Sequence, residues 1–182
     1  AAATAADLVR LTRPTINSGA IRREKTFWEV AAQAGLRTVA VNWWTSWPAR
    51  DEDGIVLTER AVLRLQTGGD LAGEIVPAPV YERLKNDWGV LSARATALAE
   101  LAAASGPQAG AGSPDGESHD TLSPAVTSAL REAALVDAQQ LVLFEGAASN
   151  EVDLATVYLP GLDILGTKLR ALYQRRKGRD LF

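Results

Sequence analysis

Residues 26–49 constrain this chain more than any other stretch, because they read as a complete helix-turn-strand unit closed by an aromatic turn. Thr26 and Glu29 stand at capping-box spacing: the hydroxyl accepts from the amide three residues on and the carboxylate reaches back to the cap amide. Phe27, Val30, Ala31 and Ala34 then fall on one face at helical spacing, and Gly35 sits where a left-handed C-terminal residue is needed. Arg37-Thr38-Val39-Ala40-Val41 follows at once. It is too short for a helix and rich in β-branched residues, as expected of a strand buried in a parallel sheet. Asn42 to Pro48 would form the loop at that strand's carboxyl end, which is where ligand crevices lie in open α/β sheets.

The rest of the chain repeats this alternation. Alanine-rich residues 1–12 favour a helix and 14–19 a loop. Asp51-Glu52-Asp53-Gly54 reads as a solvated acidic turn before Ile55-Val56-Leu57, with a helix expected over 59–66 and ended by Gly68-Gly69. Pro79 suits the first turn of a short helix carrying Val80, Tyr81 and Leu84, and a separate helix is expected over 91–104. Residues 105–118 collect Gly, Pro, Ser, Asp and Glu with almost no apolar bulk, so they read as a flexible loop or linker. Ser123-Pro124 opens a long amphipathic helix that reaches Gly146. Leu154 to Leu159 is a second buried-strand candidate, broken by Pro160-Gly161. Helix before strand, twice, predicts an α/β fold in which a mainly parallel sheet carries helices on both faces. Val39 to Val41 and Leu154 to Leu159 should then share one sheet, with Asn42 and Asp163 opening on one edge.

Two ordered stretches resemble a known family. The phrase FWEVAAQAGLRTVAVNWWTSWPA and, far downstream, DLATVYLPGLD are similar to corresponding segments of the type I phosphodiesterase/nucleotide pyrophosphatase proteins of the alkaline phosphatase superfamily. The resemblance covers roughly Pro14 to Arg170. It implies one partial α/β domain over residues 1–182, with an alkaline-phosphatase-like layered sheet. It also implies hydrolysis of phosphate esters or pyrophosphates with divalent metals, usually zinc, which can stabilise both the entering and the leaving oxygen of a displacement. The family's nucleophile and first metal aspartate precede the aromatic segment, and further histidines follow the downstream one. The expectation is therefore a chain that is inactive alone and binds no metal of its own.

By that resemblance Asp163 is a metal-ligand position, and Asn42, Trp43 and Trp44 border the substrate. The family's histidine four residues after the aspartate is Thr167 here, and a hydroxyl is a poor substitute for imidazole. Asp163 also reads as the cap of a helix starting near Ile164. Trp43, Trp44 and Trp47 read as core packing or as a wall for a nucleotide base or other aryl group. His119, the lone histidine, falls in the Gly/Pro/Ser-rich stretch and reads as solvated; Thr12, Thr15 and Ser18 lack any strand-turn-helix setting for a nucleophile. The alternative is a non-catalytic α/β binding or interaction domain with a degenerate metal site.

Composition limits the partners. At 47% hydrophobic and 23% charged residues, with a net charge of -3, the chain is an ordinary globular one with no call for a nucleic-acid polymer as partner. The basic run from Arg170 to Arg179 reads as a solvated helix end. No apolar run approaches the ~18 residues that span a bilayer, so no membrane partner is expected. With no cysteine, neither the compartment nor a thiolate metal site is indicated, and with no methionine a piece of a longer translation product is expected. The partner implied by the resemblance is a phosphate-ester small molecule.

Overall fold

The computed structural model describes residues 22–68, 72–104, 124–148 and 151–176. The expected helix over 1–12, the 14–19 loop, the 105–118 loop, His119 and the Ser123 cap lie outside these residues.

Helix α1 (Phe27–Gln33) begins as its capping box dictates: Thr26 Oγ1 accepts from the Glu29 amide at 3.3 Å, and Glu29 Oε2 accepts from the Thr26 amide at 2.5 Å. Arg22 adds an ion pair to Glu29 at 2.7 Å. Burial raises the Glu29 carboxyl, but the Thr26 hydrogen bonds and the Arg22 charge outweigh it and hold the group below its ordinary value. The inward face differs from the expected one. Phe27 and Val30 are exposed, and it is Trp28 that buries against the sheet, packed with Ala40, Val56 and Val76.

Strand β1 (Thr38–Val41) is buried at every residue. It lies between β2 (Ile55–Leu57) and β4 (Leu154–Val157) and is parallel to both; β3 (Ile75–Val76) pairs antiparallel with β2, giving the order β3-β2-β1-β4. The sheet is thus mixed and mostly parallel, and β1 and β4 share it as the sequence predicts, but β4 is an edge strand that ends at Val157 and is only partly buried, shorter and more open than the buried strand expected over Leu154 to Leu159. Between β1 and β2 a 3-10 turn (Asp51–Asp53) replaces the fully solvated acidic turn: Asp51 and Glu52 are exposed, whereas Asp53 is buried, with Oδ2 accepting from the Arg50 amide. Helix α2 (Ala61–Thr67) follows β2.

Residue alternation along the strands builds a core on each face. Val39, Val41, Leu57 and Ile75 meet Val80, Leu84 and Leu143 from α3 (Ala78–Ala104) and α4 (Pro124–Ala147), while Ala40, Val56 and Val76 meet Trp28 of α1. α3 is one helix of 27 residues, not the two pieces expected. Gly89 costs about 1 kcal/mol of helix propensity, but α4 packs along α3 and carries the helix through it. α5 (Gly161–Arg176) packs on α4.

Candidate functional site

The carboxyl edge of the parallel strands is organised by Asn42. Its backbone takes a left-handed conformation (φ 62°), which asparagine adopts more readily than most residues. That turn lets the Asn42 amide extend the ladder to Leu57 O at 2.7 Å while its side-chain Nδ2 donates to Tyr158 O at 3.0 Å. The Tyr158 amide in turn donates to Val41 O at 2.9 Å. Asn42 therefore ties the ends of β1, β2 and β4 together.

The aromatic loop hangs from this tie. Trp43 is half-buried, with ring centroids 5.7 Å from both Phe27 and Trp28 and 6.0 Å from Tyr158. Its indole N–H is enclosed and meets no acceptor among the described residues. Trp44 is 68% exposed, with its ring edge toward Tyr158 at 6.4 Å. Trp47 lies under the Arg60 guanidinium, 3.8 Å from ring centroid to Cζ, and its indole donates to Ala72 O. A single carboxylate holds the loop's shape: Glu59 Oε2 accepts from the Ser46 amide at 3.2 Å and the Trp47 amide at 3.3 Å, with the Ser46 hydroxyl 2.9 Å away. So the three tryptophans divide: one packs, one stacks under a cation, and one faces solvent beside Tyr158.

Asp163 is exposed and stands as the third residue of α5 rather than as its cap. The helix starts earlier than expected because Asp137 of α4 supplies the cap, its Oδ1 accepting from the Gly161 amide at 2.7 Å. Released from capping, Asp163 Oδ2 accepts from the Tyr158 hydroxyl at 3.2 Å. The four residues singled out in the sequence, Asn42, Trp43, Trp44 and Asp163, are thereby brought to one edge. Tyr158 connects them all, through its carbonyl, its ring and its hydroxyl. Its sequence signals are its place immediately after a parallel strand and its position within the phrase DLATVYLPGLD.

Among the described residues the donors near Asp163 fall short of a zinc site. Zinc needs several N, S or O donors at one point, and among the described residues no group of three or more His, Cys, Asp or Glu converges to hold a metal. Thr167, one turn beyond Asp163, offers only a hydroxyl.

No family model, no curated protein and no solved structure matches this chain.

Proposed function

We propose that this chain carries part of the substrate-binding edge of a phosphodiesterase- or phosphatase-like hydrolase acting on phosphate esters or pyrophosphates, and that it is inactive alone. In this reading the sheet is a partial alkaline-phosphatase-like layer. The run from Asn42 through Tyr158 to Asp163 supports it most, because it sets an aryl platform and a solvent-facing carboxylate beside one another at the strands' carboxyl ends. Trp44 is the platform; a nucleobase stacked on such a ring gains about 1–3 kcal/mol. Asp163 would supply one carboxylate to a divalent cation, and the other donors such an ion needs are not among the described residues.

Titration with adenosine monophosphate, followed by NMR of the indole N–H groups, tests the reading. The Trp44 resonance is expected to shift with half-saturation at about 1 mM, and Trp44→Ala to abolish the response of Trp43. Unmoved Trp43 and Trp44 resonances at about tenfold that concentration overturn it. A second reading, a non-catalytic binding or interaction domain with a degenerate metal site, is favoured by Thr167 and by the Tyr158 hydroxyl on Asp163. The flanking sequence separates the two: a Thr or Ser nucleophile with a metal aspartate upstream and an Asp-His pair downstream supports the hydrolase segment, and their absence supports the binding domain.

A further inference from the structure

The opposite edge of the sheet holds a separate cavity of about 440 Å³, formed where β1, β2 and the approach to β4 begin. Ala32, Leu36, Val39, Ile55 and Val152 give it an apolar floor, and its rim carries Asp51, Glu52, Glu151 and Arg37. Among the described residues that line the cavity, the cation Arg37 is already paired. Arg37 Nε and Nη2 each lie 3.1 Å from an Asp153 oxygen, and Nη1 lies 2.8 Å from Glu151. Two solvent-facing carboxylates, Asp51 and Glu52, remain on the far side, with Glu52 only loosely met by Arg50 at 3.4 Å. The volume falls in the range that small-molecule sites occupy, with a mainly apolar lining and few charged groups.

We propose that this amino-edge cavity binds a small organic cation with an apolar body, an aryl- or alkylammonium, with the hydrocarbon on Leu36, Ile55 and Val152 and the ammonium toward Asp51 and Glu52. An anion of the same shape meets a rim whose net charge repels it, and a neutral analogue gains the floor without the rim. The site is distinct from the aromatic edge and independent of what that edge binds.

Benzylammonium, benzyl alcohol and phenylacetate are the probes, read by backbone-amide NMR of the intact chain. Benzylammonium is expected to shift the Ile55 and Val152 amides with half-saturation at about 1 mM, as suits a ligand of its size. Benzyl alcohol should bind about fivefold more weakly, and phenylacetate more weakly still. Asp51→Asn with Glu52→Gln, both exposed positions that the fold tolerates, should weaken benzylammonium about fivefold and leave benzyl alcohol unchanged. Ala32→Leu, which fills the floor, should weaken both, with the unperturbed amides elsewhere reporting an intact fold. The proposal is overturned if benzylammonium leaves Ile55 and Val152 unmoved at about 10 mM, if phenylacetate binds equally well, or if the double substitution has no effect.

Discussion

Asp137 and Gly161 are in close contact: the carboxylate holds the first amide of α5 at 2.7 Å, and a Cβ built on Gly161 would lie 2.2 Å from Asp137 Oδ2 and 3.0 Å from Ala133 O. This contact fixes where α5 starts, and so where Asp163 stands relative to Tyr158.

Gly161→Ala should therefore destabilise the protein by about 2 kcal/mol, the usual scale of an overpacking substitution, measured by urea unfolding. Asp137→Ala alone loses the helix cap, about 1 kcal/mol. The two changes together should cost less than their sum, since removing the carboxylate relieves the clash that the methyl creates.

The same aspartate titrates against the fold. Burial raises the Asp137 carboxyl, and the Gly161 amide only partly reverses this. With the folded value above the unfolded one, the native state binds the proton more tightly, so this group's contribution to stability falls as pH rises from the unfolded value through the folded one. Asp137→Asn keeps an acceptor for Gly161 and should remove that part of the pH profile, as seen in melting temperatures followed upward from the ordinary aspartate value of 3.8.

Asp153 works in the other direction. The paired hydrogen bonds from the Arg37 side chain, then its backbone amide, lower the carboxyl from 3.8 to about 2. A depressed folded value means stability that is present above 3.8 and lost as pH falls toward about 2. Asp153→Asn should flatten the acid limb of the unfolding curve by lowering stability at neutral pH, modestly because the pair is solvent-facing, with the two proteins converging as pH falls toward about 2.

Glu59 is the test of the aromatic loop. Glu59→Ala removes the acceptor shared by the Ser46 and Trp47 amides, so about 1–3 kcal/mol of stability should be lost on chemical unfolding. Adenosine monophosphate should also bind more weakly, since Trp44 would no longer be held beside Tyr158. Undiminished binding would separate the platform from the loop that carries it.

Bis(p-nitrophenyl) phosphate with added zinc should be hydrolysed no faster by this chain than by buffer. Chelator-sensitive turnover that survives further purification would contradict that expectation.

Local chemistry explains which elements were legible in the sequence. The capping box at Thr26 and Glu29, the β-branched run to Val41 and the Pro124 start each encode their element within a few residues. What was not legible depended on contacts distant in sequence. Nothing near Gly89 says that a helix continues through it, because the support comes from α4. β3 is two residues long and exists by pairing with β2. Asp163 looks like a cap until Asp137, 24 residues before Gly161, is found to have taken that role. Likewise Trp28, rather than the periodic face of Phe27 and Val30, is inward because of what the sheet presents to it.

The α3 and α4 pairing carries a consequence for motion. Near the sheet the two helices meet through Leu84 and Leu143, but farther out their contact narrows to Ala95, Ala99, Ala138 and Val142, with solvent-facing ion pairs such as Arg131 with Glu100. Small side chains bury little area, and exposed ion pairs add little. The outer arm is therefore expected to exchange its amide hydrogens through openings short of global unfolding while the strands stay closed. Because Asp137 on α4 caps α5, an opening that reached it would loosen the start of α5 and the place of Asp163.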